Sequence, residues 1–171
     1  MAHDDFAAVA RDLAASGVTS AAKLACHGGS NGGLLVGNML TRYPELFGAV
    51  WCSVPLLDMA RYTKLLAGQS WIAEYGDPEI AAEWDFIRAY SPYHLTRQDA
   101  DYPPILITTN RTDDRVHPGY ARKMAAKLEE LGYPVWFNET VAGGHSGAVD
   151  NSKQSQSQAL GFAFLRKTIA K

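Results

Sequence analysis

The sequence predicts an α/β fold in which about four mostly parallel strands are flanked by helices. Apolar runs typical of buried strands alternate along the chain with segments whose apolar residues recur at helical spacing. Such alternation is typical of parallel crossover units, which build an open sheet with helices on both faces. The length of 171 residues is enough for one domain with its own core.

Each predicted strand is short and ends at a turn or a proline. The four strands cover residues 23–27, 47–54, 104–110 and 134–140. The second is a nearly continuous apolar run closed by Pro55, as expected for a strand that is covered on both faces.

The predicted helices cover residues 6–16, 31–42, 118–131 and 158–169. The first and third end at Gly17 and Gly132, because glycine readily adopts the conformation that ends helices. Between Leu56 and Leu95 the helical patterns are interrupted by glycine and proline. An excursion of this length inside a domain is usually functional.

Composition argues against several classes of partner. A net charge of −2 gives no electrostatic reason to expect binding to nucleic acid or to an anionic membrane. No apolar run approaches the roughly 20 residues that span a bilayer, and the N-terminus lacks signal-peptide features. We therefore expect a cytoplasmic protein. Cys26 and Cys52 fall in predicted buried strands and are expected to be free core residues, and we expect no metal or other cofactor.

The segment Gly28-x-Ser30-x-Gly32 matches the nucleophile-elbow pattern, in which a serine sits on a sharp turn between a strand and a helix. The pattern is weak alone, but here a predicted strand precedes it and an apolar helix follows it. We expect Gly28 and Gly32 to be required because a side chain at either position would collide across the turn.

Polar clusters follow three of the predicted strands: Ser30, residues 112–115 and residues 143–147. Parallel sheets bind ligands at the carboxyl ends of their strands, so these clusters should converge. A serine nucleophile needs a base, and a histidine oriented by a carboxylate serves as one. Ser30, Asp113 and His145 occur in the chain order of the nucleophile-elbow fold. The backbone N–H of Asn31 would form half of an oxyanion hole.

Each of these residues also has a plainer interpretation. Ser30 alone is a candidate helix N-cap, and Asp113 or Asp114 alone is a candidate turn residue. His117 is the alternative base because it lies close to Asp113 in sequence, although it begins a helix and precedes the last strand. The remaining histidines are expected at the surface (His3 and His94) or packed at the end of a strand (His27).

Five motifs occur together in the chain: Gly28-Gly29-Ser30-Asn31-Gly32-Gly33-Leu34, Trp71-x-x-x-Tyr75-Gly76, Tyr90-Ser91-Pro92-Tyr93, Asp113-Asp114-Arg115-Val116 and Gly144-His145. Together they resemble the prolyl oligopeptidase family of serine peptidases. The resemblance implies a serine hydrolase that works through an acyl-enzyme. It implies Ser30 as nucleophile, Asp113 as the acid and His145 as the base.

The resemblance also assigns substrate contacts. It implies that Arg115 binds a substrate backbone carbonyl, and it puts Trp71 and Tyr75 in the pocket that receives a proline ring. That assignment is chemically reasonable, because a flat indole face packs well on a pyrrolidine. The alternative for Trp71 is an ordinary core residue.

Members of that family are several times longer, with a β-propeller and an eight-stranded hydrolase sheet. Residues 1–171 would form a single, partial α/β-hydrolase domain without a propeller, and nothing here matches the tyrosine that gives the family its second oxyanion donor. The first strand would then be an unpaired edge, so we expect at least a dimer, with this edge covered by the N-terminal helix or by the same strand of a second copy.

Three functional hypotheses follow for a chain that would act on a peptide or a small ester. The first is a prolyl oligopeptidase-like serine peptidase. The second is a small carboxylesterase acting on short-chain esters, and the third is a non-catalytic fragment that lacks a complete oxyanion hole.

Overall fold

Four parallel strands form one sheet at the centre of the molecule. The computed structural model describes residues 2–141, 143–146 and 151–170. The strands are β1 (Ala25–Gly29), β2 (Ala49–Ser53), β3 (Ile105–Asn110) and β4 (Val135–Thr140), and they lie side by side in that order. Each neighbouring pair is parallel. The predicted α/β fold is confirmed, with strands that are all parallel.

Seven α-helices flank the sheet in the described part of the chain. They are α1 (Ala2–Ala15), α2 (Asn31–Arg42), α3 (Ile72–Tyr75), α4 (Ala81–Ile87), α5 (Pro92–Leu95), α6 (Gly119–Glu130) and α7 (Asn151–Ile169). The excursion between β2 and β3 holds the three short helices α3, α4 and α5, together with 3₁₀ turns at Tyr62–Lys64, Leu66–Trp71 and Arg88–Tyr90. Further 3₁₀ turns at Ala21–Lys23 and Pro44–Leu46 precede β1 and β2.

Several predicted boundaries are wrong, among them the start of α1, which lies at Ala2 rather than at Phe6. β1 begins at Ala25 rather than at Lys23, because a 3₁₀ turn over Ala21–Lys23 occupies the start of the predicted strand. β2 begins at Ala49, since the turn at Pro44–Leu46 ends just before it. α7 begins at Asn151 and not at Gln158. Its polar first part is rich in glutamine, which is a good helix former even without an apolar pattern.

Alternate residues of the strands face two separate cores, as the period of a β-strand requires. Val50 and Cys52 of β2 face the larger core, which α1, α2 and α6 cover. Trp51, between them, faces a smaller core on the opposite side, where Phe164 of α7 packs. All six residues of β3 are buried, and this strand is one of the two inner strands of the sheet.

Within the described residues, β1 pairs with β2 alone, which confirms that it is an edge strand. The N-terminal helix α1 packs against α2 and the Pro44–Leu46 turn, with Ala7 and Ala10 buried. Cys26 and Cys52 are buried and free, as expected. No helix in the described ranges is long and apolar enough to cross a membrane.

Candidate active site

Ser30 lies on the sharp turn between β1 and α2, in a backbone conformation that side chains rarely adopt. Its φ is 59° and its ψ is −118°. A non-glycine residue at positive φ is strained unless its surroundings hold it there. Ser30 N donates to the carbonyl oxygen of Ser53 at 3.0 Å, and Ser30 O accepts from Leu34 N at 3.2 Å. These two hydrogen bonds hold the turn to the end of β2 and to the first turn of α2.

The glycines of the elbow do not all have the role expected of them. A Cβ added to Gly28 would lie 2.2 Å from the carbonyl oxygen of Gly32, so glycine is required there. A Cβ on Gly32 would meet nothing within 4 Å, so the predicted collision at that position is wrong. Gly33 is the second crowded position, because its Cβ would lie 2.7 Å from the Pro55 Cβ.

The side chains of Ser30, His145 and Asp113 form a continuous hydrogen-bonded chain. His145 Nε2 lies 2.8 Å from Ser30 Oγ, and His145 Nδ1 lies 2.9 Å from Asp113 Oδ2. The Asp113 side chain is fully buried, whereas that of His145 is 13 % exposed. An ionised carboxylate only accepts hydrogen bonds, so His145 carries its proton on Nδ1. Nε2 of the neutral ring then accepts from the Ser30 hydroxyl.

Backbone groups hold the Asp113 carboxylate in place. Its Oδ1 accepts hydrogen bonds from the N–H groups of Arg115 at 2.9 Å and Val116 at 2.8 Å. Together with the histidine, these donors satisfy a buried charge that would otherwise be costly. The 143–147 cluster is described only as far as Ser146, and Gly147 lies outside the described residues.

The Ser30 hydroxyl bonds to His145 and not to His117, the alternative base. The Nδ1 of His117 accepts the N–H of Gly119 at 3.0 Å, so the ring lies against the start of its own helix. His27 is exposed and stacks on Trp51 at a centroid distance of 3.9 Å, which confirms the packing, but it lies in the middle of β1 rather than at its end.

The two histidines expected at the surface differ. His94 is exposed, as predicted, and bonds to the Ser91 hydroxyl at 2.8 Å. His3 is half-buried because its ring stacks on Tyr90, so the surface prediction is wrong for His3. Burial lowers the pKa of His3. The described residues contain no group of three or more histidine, cysteine or carboxylate side chains that could hold a metal ion.

A cavity of about 110 Å³ lies beside Ser30. The three predicted substrate-binding residues all line it; its full lining is Ser30, Asn31, Leu56, Trp71, Glu74, Tyr75, Arg115 and Val116. Trp71 is half-buried and also packs against the larger core, so its ring belongs to both environments. Sequence reasoning missed Glu74, since a carboxylate in a short helix carries no pattern that points to a cavity.

Tyr75 connects this cavity to the turn that carries Ser30. Its hydroxyl donates to Asn31 Oδ1 at 2.8 Å. Burial raises the pKa of the Tyr75 hydroxyl, so it stays protonated as a donor at neutral pH. Asn31 is the first residue of α2, and the first four N–H groups of a helix have no carbonyl partner within it. The N–H next to Ser30 is thus a donor that the helix itself does not use.

A larger open cavity of about 640 Å³ lies between the carboxyl ends of the strands and α7. His145 and Gly29 border it, but Ser30 and the cavity with Trp71 and Tyr75 lie apart from it. The nucleophile candidate therefore faces the smaller cavity.

Comparison with known proteins shows the family of the chain. Residues 2–171 match the model of the prolyl oligopeptidase family. An uncharacterized peptidase of Sinorhizobium fredii is 45 % identical over 163 residues, which is 95 % of this chain and 22 % of that protein. A prolyl endopeptidase of Dictyostelium discoideum is 34 % identical over 97 % of this chain and 23 % of its own length.

Solved structures show the fold of that family. One, from a study of two prolyl endopeptidases and their inter-domain dynamics, superposes with a TM-score of 0.93 at 42 % identity, over 98 % of this chain and 25 % of that one. A post-proline cleaving enzyme of Rickettsia typhi gives a TM-score of 0.93 at 39 % identity, over 96 % and 24 %. The chain spans about a quarter of the length of these relatives. It belongs to the prolyl oligopeptidase family and has the fold of part of that family's α/β-hydrolase catalytic domain.

Proposed function

We propose that this chain carries the nucleophile, acid and base of a prolyl oligopeptidase-type serine peptidase. The observation that carries the proposal is the chain of contacts Ser30–His145–Asp113, in which His145 Nε2 lies 2.8 Å from Ser30 Oγ. In this proposal Ser30 is the nucleophile, His145 the general base and Asp113 the group that orients and stabilises the imidazolium.

The reaction proceeds through an acyl-enzyme. His145 takes the Ser30 proton as Oγ attacks the substrate carbonyl carbon, and the N–H of Asn31 donates to the oxyanion that forms. The tetrahedral intermediate collapses by breaking the C–N bond, and His145 returns the proton to the leaving amine. A water molecule then attacks the acyl ester by the same steps, which releases the acid and restores the Ser30 hydroxyl.

The small cavity supports a proline-like side chain at the acyl position. Trp71 and Tyr75 offer aromatic surface on which a pyrrolidine ring packs well. Arg115 is exposed and lines the same cavity, and the N–H groups of its guanidinium can donate to a backbone carbonyl of the substrate.

Carboxylester hydrolysis is the second candidate. It is favoured by an incomplete oxyanion site. Among the described residues we identify one oxyanion donor, the N–H of Asn31. Small activated esters depend less on oxyanion stabilisation than amides do. A non-catalytic fragment is the outcome if this half-formed site supports neither reaction.

One set of assays separates these functions. We would measure hydrolysis of a Gly-Pro anilide and of p-nitrophenyl acetate and butyrate, with Ser30→Ala as the blank. Serine-dependent cleavage of the anilide supports the peptidase. Ester turnover alone supports the esterase. If neither substrate class shows Ser30-dependent turnover, the non-catalytic fragment is supported. Full activity in His145→Ala combined with loss in His117→Ala would overturn the choice of base.

The open edge of β1 supports a further part of the proposal, that the chain forms at least a dimer. Unpaired strand edges expose N–H and C=O groups that readily pair with another strand, and the same strand of a second copy would cover them. Size-exclusion chromatography with light scattering tests this, and a stable monomer at micromolar concentration would contradict it.

We also propose that residues 1–171 act as one unit of the catalytic domain, located in the cytoplasm. The near-neutral charge and the single sheet support this proposal. Cell fractionation with an antibody to the chain tests the location, and recovery outside the cytoplasmic fraction would contradict it.

A further inference from the structure

Asn110, the last residue of β3, lies between the two loops that carry the acid and the base. It is 8 % exposed. Its Nδ2 donates to the carbonyl oxygen of Gly144 at 2.8 Å, and its Oδ1 accepts from the Thr140 hydroxyl. A carbonyl oxygen only accepts hydrogen bonds, so the NH₂ group of the amide must face Gly144. Thr140 holds the other end of the amide.

The hydrogen bond to Gly144 acts directly on His145. The Gly144 carbonyl belongs to the peptide bond that ends at His145 N, and a peptide unit is planar. Holding that oxygen therefore holds the N and Cα atoms of His145, from which its side chain extends. Thr112 holds the preceding peptide in the same way, since its hydroxyl donates to Gly143 O at 2.7 Å. Two consecutive glycines would otherwise leave this segment wide conformational freedom.

The main chain of Asn110 acts on the other loop. Its carbonyl oxygen accepts from Asp113 N at 3.2 Å, which closes the turn that carries the carboxylate. One residue thus contacts both loops. Its main chain holds the Asp113 turn, and its side chain holds the peptide in front of His145.

We propose that Asn110 is a positioning residue that sets the geometry of the Asp113–His145 pair. It touches no reacting atom and acts through the Gly144 peptide. The inference rests on the proposed function for its catalytic consequence, but the geometry it concerns can be measured without turnover.

The test uses two variants and a matched control. Asn110→Ala removes the amide and leaves the main-chain turn to Asp113. Thr140→Val is nearly isosteric and removes the hydroxyl that orients the amide. Asn138→Ala is the control: Asn138 is a half-buried asparagine on the neighbouring strand β4, two residues before Thr140.

Two measurements are made on each protein. The first is the proton NMR resonance of the hydrogen between His145 Nδ1 and Asp113, identified by its absence in His145→Ala. The second is the rate at which a fluorophosphonate labels Ser30. Asn110→Ala should lose or shift the resonance and label about 10- to 100-fold more slowly, because a displacement of about 1 Å costs a factor of this order. Thr140→Val should show a smaller change in the same direction, and Asn138→Ala should match the parent.

An unchanged resonance and labelling rate in a cooperatively melting Asn110→Ala protein would overturn the proposal. If Asn110→Ala does not fold, Thr140→Val decides by the same two measurements. If the parent is not labelled at Ser30, the proposed function fails, and the resonance alone then decides the positioning role. A parent spectrum without the resonance would contradict the Asp113–His145 hydrogen bond and the proposal with it.

Discussion

Replacing Gly28 by alanine tests the elbow most sharply, because the chain provides its own control four residues later. The alanine Cβ would lie 2.2 Å from the Gly32 carbonyl oxygen, about 1.2 Å closer than ordinary contact at 3.4 Å. Both groups involved are tied to the backbone, so no flexible side chain can move aside. β1 and the start of α2 must separate instead, and Ser30 lies between them.

We expect Gly28→Ala to lose about 1–3 kcal/mol of unfolding free energy, the usual cost of overpacking. The displacement of Ser30 should slow fluorophosphonate labelling by about 100-fold. Gly32→Ala meets open space, so its labelling should stay close to that of the parent and its stability should be unchanged or raised by up to about 1 kcal/mol. Urea unfolding and labelling rates measure both effects. Equal damage in the two variants, or none in Gly28→Ala, would refute the reasoning.

Three further substitutions test other contacts. Gly161→Ala should lower the melting temperature although alanine favours helices, because its Cβ would lie 2.1 Å from the Trp51 ring; a more stable variant would contradict this. Tyr75→Phe removes the hydrogen bond to Asn31. It should slow Ser30 labelling about three- to tenfold, which corresponds to the net free energy of one hydrogen bond. Unchanged labelling would argue that Tyr75 does not position Asn31. Hydrogen bonds from two arginines lower the Glu139 pKa from 4.5 to about 2. The Glu139 carboxylate therefore stabilises the fold above pH 4.5 and loses this effect as the pH falls to 2. Over that range the melting temperature of Glu139→Gln should decrease less with falling pH than that of the parent.

The sequence was informative where local pattern and global fold agree. The apolar residues Ile105–Ile107 at the start of β3 and the apolar helix after Ser30 predict β3 and α2 closely, because each element has a clear local pattern. The convergence of Ser30, Asp113 and His145 could be predicted from the sequence, because the loops that follow parallel strands lie at one edge of the sheet.

Other features depend on contacts between distant residues, which no local pattern records. The role of Gly32 was assigned wrongly, and the crowding at Gly33 was missed because it comes from Pro55, a residue on another loop. The contacts of Asn110 were missed for the same reason, since they depend on how the loop after β4 lies over the end of β3. The start of α7 was missed because its first residues are polar on every side.

Mass spectrometry of the labelled protein tests the central assignment most directly. Trypsin should release residues 24–42, a peptide in which Ser30 is the single serine. After reaction of the folded chain with a fluorophosphonate, we predict one phosphonyl adduct on that peptide. The adduct should be absent from Ser30→Ala and strongly reduced in His145→Ala. A folded chain that carries no adduct on this peptide, or one whose labelling is unaffected by His145→Ala, would contradict the assignment of Ser30 as the activated nucleophile.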